Sequence, residues 1–194
     1  MSDWFFQECV ESGNDSLLLS AITAGTVGIE DRDCIDRTPL MVAIDFRNIS
    51  LVRSLLALGA NPDSKSDDGE TCLSCAIEEE NIEIVAALLD AGADIEQIGA
   101  NFFTPLALAS ARGNVAMIDY LLGRGANIEA RGEMEETPLI EASFFGHHAA
   151  VVSLLKHGAD RRAVNAFGSD ALSVARERGH AAVVAALSDD EVAR

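Results

Sequence analysis

The chain has 194 residues, with 32 acidic against 14 basic side chains and a formal charge of −18 at neutral pH. That surplus argues against direct binding to nucleic acid or to an anionic membrane and makes a basic protein the expected partner; the plain alternative is that the surplus only keeps the surface soluble. The opening stretch MSDWFFQECV has no basic leader, and nowhere do about 18 apolar residues run together, so the expected compartment is the cytoplasm.

In chain order, the first pattern is Cys9, Gly13-Asn14, Leu18 and Gly25, with Trp4, Phe5 and Phe6 at its opening as bulk that can cover the open end of a core. It aligns with the next copy if one extra residue is allowed in the connection between them. A clearer pattern starts at Thr38-Pro39-Leu40 and returns at steps of 33 as Thr71-Cys72-Leu73, Thr104-Pro105-Leu106 and Thr137-Pro138-Leu139. A degenerate copy opens at Asp170-Ala171-Leu172, and the closing pairs Gly59-Ala60, Gly92-Ala93, Gly125-Ala126 and Gly158-Ala159 keep the same step.

Each copy reads as two helices and an extended connection. Thr offers a side-chain oxygen to cap a first turn, and Pro at the first helical position gives up no hydrogen bond. In the central copy a short helix runs from Leu106 to about Arg112, Gly113 permits a turn, and a second helix starts near Val115. Met117, Ile118, Leu121 and Leu122 fall on one face of that second helix, and Gly125 ends it. Val52, Val85, Ile118, Val151 and Val184 form one apolar row, Leu55, Leu88, Leu121, Leu154 and Leu187 a second, and Ala43, Ala76, Ala109, Ala142 and Ala175 a row of small residues between inner helices. One helix pair cannot shield such rows from water, whereas stacked neighbours can.

A 33-residue period with Thr-Pro-Leu near the start of each unit resembles the ankyrin-repeat family over nearly the whole chain. The resemblance implies an all-α solenoid of helix-turn-helix units joined by loops or short β-hairpins. The expected organisation is a single domain: a capping unit at about 1–32, units at about 33–65, 66–98, 99–131 and 132–164, and a capping unit at 165–194. Ser188, Arg176, Glu177 and Arg178 supply the polar exterior that the last unit needs.

Three departures from the pattern stand out. Arg47 and Glu80 occupy the turn filled later by Gly113, Gly146 and Gly179, so those turns are either strained or shaped differently. Glu141 stands where Val42, Cys75, Leu108 and Val174 stand elsewhere, and it is expected to reach a polar partner or water at the edge of its helix pair. The run Glu78-Glu79-Glu80 places acid at the end of a helix, against its dipole, which favours a binding role over stability there.

By the same resemblance, partner contacts come from the loop tips and the exposed side of the inner helices. The candidate binding residues are Asp45, Phe46, Asp67, Asp68, Glu70, Glu78, Glu79, Phe103, Arg112, Glu133, Met134, Glu136, Phe144, Phe145 and Phe167, among neighbours such as Asn101. Five of the eight Phe residues of the chain lie on this face amid carboxylates, the composition of an apolar anchor patch inside a charged rim.

His147 and His180 hold the family's position after Gly, where the ring ties adjacent units by hydrogen bonds; His148 and His157 read as surface residues. Cys72 and Cys75 form a lone C-x-x-C without a second ligand pair, so no metal site is expected, and neither is a cofactor. Without a phosphate loop, a Ser, His and Asp set or H-E-x-x-H, the chain carries no catalytic argument. The expected function is a non-catalytic protein-interaction module, a monomer when unbound, with an acidic, Phe-bearing concave face for a basic protein. An inhibitor or immunity protein of a toxin is one form of it; a scaffold or secreted effector that inhibits nothing is the alternative.

Overall fold

The computed structural model describes residues 5–100 and 102–188, so Trp4 and Asn101 lie outside the described residues. The chain falls into two compact units, Met1–Asp94 and Ile95–Arg194. The first holds three helix pairs: α1 (Phe5–Glu11) with α2 (Asp15–Thr23), α3 (Pro39–Asp45) with α4 (Ile49–Ala57), and α5 (Cys72–Glu78) with α6 (Ile82–Asp90). The second holds α7 (Pro105–Ala111) with α8 (Val115–Gly123), α9 (Pro138–Phe144) with α10 (His148–Lys156), and α11 (Ala171–Arg178) with α12 (Ala181–Ser188).

The helices begin where the side chains dictate. Thr38, Thr71, Thr104 and Thr137 each accept a hydrogen bond from the backbone N–H three residues on, a cap that contributes about 1 kcal/mol apiece. Asp170 does the same for the degenerate copy, and Ser173 completes its capping box. Asn48, Asn81 and Asn114 cap the second helix of their pairs. His147 sits in the same slot but does not cap, because its ring turns back to the preceding helix pair.

The connections fold into the short hairpins that the resemblance implies. In each, the N–H of the first residue meets the carbonyl four residues on: Asp33 to Arg37, Ser66 to Glu70, Gly99 to Phe103, Gly132 to Glu136 and Asn165 to Ser169. Isolated antiparallel bridges join Lys65 to Thr71 and Val164 to Asp170. Carboxylates then tie one connection to the next. Glu30 receives the N–H of Asn61 and Asp63 that of Asp94; Glu96 receives that of Asn127 and Glu129 that of Asp160. Part of the acidic surplus is therefore structural.

In both units the core follows the rows read from the sequence. The five small-residue positions are completely buried, as are Val52, Leu55, Val85 and Leu88 in the first unit and Ile118, Leu121, Val151 and Leu154 in the second. Val184 departs from its row by staying half-buried, since it lies on α12, the last helix described.

Arg47 and Glu80 resolve the question their turns raised: both take positive φ, 54° and 53°, so the turn keeps its shape and carries strain. At Gly113 and Gly146 strain is not the only reason for glycine. A Cβ there would lie 2.6 Å from the imidazole of His147 or His180 in the following helix pair. Those rings reach across to the carbonyls of Ala111 and Phe144, at 2.9 and 3.0 Å, and so tie neighbouring pairs together as expected.

Candidate functional site

In the unit Met1–Asp94 the candidate residues form an acidic surface. Asp67, Asp68, Glu70 and Glu78 are exposed and Glu79 is half-buried at the end of α5. Asp45 is engaged rather than free: Arg37 donates to it at 2.8 Å and also holds Asp33. Burial, reinforced by Glu70 and Glu79, pushes the Asp45 carboxyl up although Arg37 pulls it down. Phe46 stands exposed just past α3, and the backbone N–H of Asp67 donates to Asp36 at 2.8 Å.

Cys72 and Cys75 lie buried beneath this surface. Their thiols meet the Ser64 carbonyl and the Glu70 carboxylate at 3.7 Å. Burial pushes the Cys72 thiol up to about 12 and raises Cys75 as well, with Asp45 and Glu70 adding to it, so both stay protonated and unreactive near neutrality. Among the described residues, no group of three or more His, Cys, Asp or Glu is placed to hold a metal ion, and no helix is long and apolar enough to cross a membrane.

In the unit Ile95–Arg194 the candidates converge much more closely. Phe103, Met134, Glu136, Phe144, Phe145 and Phe167 all line one pocket of about 580 Å³, between the hairpin tips and the inner helices α9 and α11. Phe144 and Phe145 pack edge to face with centroids 5.0 Å apart, and the guanidinium of Arg178 lies 3.7 Å over the Phe144 ring. Phe145 also stacks on His147, and with Phe103 and Arg112 it bounds a second recess alongside. Glu133 is exposed on the hairpin rim, where its N–H donates to the Phe102 carbonyl at 3.3 Å.

Among the lining residues outside the expected set, two stand out. Phe102 falls outside that set because its slot is the hairpin tip, filled by Gly69 and Gly168 in other copies and by Asp36 and Glu135 in the rest. An aromatic there takes φ of +61° and remains 53% exposed, which is costly twice over. The signal was present in the sequence as a large apolar side chain at a turn position that favours glycine.

Glu141 is the second. Of the polar partner or water expected for it, no protein partner is found: the residue is 6% exposed on α9, it lines the pocket, and no hydrogen bond or ion pair reaches its carboxylate among the described residues. The reason is its slot, since Val42, Cys75, Leu108 and Val174 are all buried there. Burial, with Glu136 adding like charge, raises its carboxyl to about 7.

A separate groove on the outer helices brings Ser153, Asp119 and His157 together. The carboxylate sits in the middle, taking the Ser153 hydroxyl at 2.6 Å and facing His157 at 3.1 Å. A nucleophile would need the imidazole on the serine, so this order of contacts cannot activate it.

A family model described as "Ankyrin repeats (3 copies)" matches residues 6–99, 40–132 and 106–193. No curated protein matches the chain. Among solved structures, the chain is similar to the crystal structure of the ankyrin repeat domain of Bcl-3, described as a unique member of the IkappaB protein family. The two are 30% identical with a TM-score of 0.85, over 94% of this chain and 83% of that one. Matches that together run from residue 6 to residue 193 put the chain in the ankyrin-repeat family, whose repeats mediate binding between proteins.

Proposed function

We propose that the chain is a non-catalytic interaction module that presents acidic, Phe-bearing surfaces to a basic protein. The observation that carries this reading is the pocket of the second unit, where Phe102, Phe103, Phe145 and Phe167 remain accessible beside Glu136 and Glu177. An apolar side chain such as Phe167, 75% exposed, contributes nothing to the core, and water solvates it poorly. Aromatic anchors inside a charged rim supply affinity through burial and specificity through charge. The acidic surface around Asp67 and Asp68 adds long-range attraction for a basic surface. An inhibitor or immunity protein is one form of this function, when the basic surface it covers is a toxin's active cleft; a scaffold or effector uses the same residues without inhibition.

The test is affinity capture with the intact chain, followed by identification of what is retained and an activity assay of the retained protein with and without it. The reading expects a basic protein whose retention falls with salt and falls further with Asp67→Lys plus Asp68→Lys or with Phe167→Ala. Retention of acidic proteins only, indifferent to salt and to these changes, would contradict it.

A further inference from the structure

The pocket of the second unit has an unusual floor. Its walls are aromatic, yet Glu141 is more than nine-tenths buried at its base with no hydrogen bond or ion pair to its carboxylate among the described residues. The charged groups that line the pocket are Glu136 from the hairpin, Glu141 from α9, and Glu177 and Arg178 from α11. Helix α7, which also packs on α9, carries no titratable side chain. The titratable residues of α10, His148 and Lys156, line the outer-helix groove instead. Three carboxylates and one guanidinium therefore line the pocket, and that guanidinium is stacked on Phe144 rather than paired with Glu141.

These features decide what the pocket takes. An apolar occupant would seal the Glu141 carboxyl from water with nothing to satisfy it, a cost of the kind that buried polar groups avoid. A cation removes that cost and also gains from the aromatic faces. Between the two basic side chains, guanidinium is planar, weakly hydrated and able to meet two carboxylates at once, and the contact of Arg178 with Phe144 at 3.7 Å shows that a guanidinium fits against one of these rings. We propose that this pocket receives an arginine side chain of the partner protein, with Glu141 as its counter-charge and the Phe rings as its walls. The assignment rests on the reading that a basic protein is bound, and it names the side chain that anchors it.

Binding then has a proton signature. The Glu141 carboxyl, raised to about 7 in the empty pocket, must ionise to pair with guanidinium, so affinity rises with pH up to about neutrality and levels off above it.

The test is titration of the intact chain with N-acetyl-arginine methylamide, its lysine counterpart and the neutral citrulline counterpart, followed by backbone amide NMR shifts at pH 6 and pH 8. Arginine is expected to bind about tenfold more tightly than citrulline at pH 8, ahead of lysine, with shifts confined to pocket residues and an advantage that shrinks at pH 6. Glu141→Gln should reduce arginine to the citrulline level and remove the pH dependence. Phe167→Ala, at a position too exposed to threaten folding, should weaken all probes. Equal binding of arginine and citrulline, lysine matching arginine, or an arginine preference that survives Glu141→Gln each overturns the proposal. Should a basic protein be captured while the arginine probe fails to bind, this assignment alone falls. Should the probe bind while no basic protein is captured, the broader reading falls instead.

Discussion

Replacing Glu141 with Gln should stabilise the protein, and only above a particular pH. In the folded chain burial, and secondarily Glu136, lifts this carboxyl from an ordinary 4.5 to about 7. Each tenfold change in proton affinity corresponds to about 1.4 kcal/mol, so the charged form costs the fold about 3 kcal/mol as a ceiling. Water entering through the pocket mouth brings this to roughly half. The sign comes from proton counting: between 4.5 and about 7 the native state binds more protons than the unfolded chain, so stability falls as pH rises through that window and is flat above it. The Gln amide is buried at the same place and its own cost does not depend on pH. Urea denaturation of parent and variant at pH 5 and pH 8 isolates the effect. The variant should gain on the parent by about 1 to 3 kcal/mol between the two pH values. A difference between variant and parent that is the same at both would refute the claim that Glu141 is buried without a partner.

Two further substitutions test the strained positions. Phe102→Gly should stabilise the fold by about 1 kcal/mol, because Gly accepts the positive φ of the hairpin tip, while weakening partner binding through loss of one pocket wall; a loss of stability in thermal unfolding would show that Phe102 serves the core. Gly113→Ala should cost about 2 to 3 kcal/mol, against about 1 for Gly179→Ala at a similar φ with open space around it, since only the former meets a histidine ring. His147→Asn in the Gly113→Ala background should recover most of that difference in chemical denaturation.

Much of the fold was legible because it rests on local chemistry repeated at a fixed step. Thr at each helix start, Ala43 and its counterparts between inner helices, and Leu55 and its counterparts on the second helices need only their own unit and its neighbour to explain them. The gathering of Phe103, Phe144, Phe145 and Phe167 was also legible as a face, since the repeat carries each to an equivalent place. What escaped depends on which side chain faces which across units. That Glu141 finds no partner is decided jointly by α9, α11 and three hairpins, and periodicity says nothing about the contents of such a gap. Phe102 escaped for the opposite reason: its slot is defined by backbone shape, and the pattern masks what its side chain does. The meeting of Asp119, Ser153 and His157 is likewise a contact between adjacent copies, visible only once the units are stacked.

The central claim, that partner binding uses the acidic surface and the Phe pocket, is tested most directly by surface-binding kinetics with the captured partner at two salt concentrations. Phe145→Ala and Phe167→Ala should speed dissociation, by roughly 30-fold for an anchor contributing about 2 kcal/mol. Reversal at Asp67 and Asp68 should chiefly slow association and flatten its salt dependence, because rim charges steer encounter. Glu83→Lys, on the exposed side of α6, should leave both rates nearly unchanged. If Glu83→Lys abolishes binding while the Phe and Asp variants bind as the parent does, the account has the wrong surface.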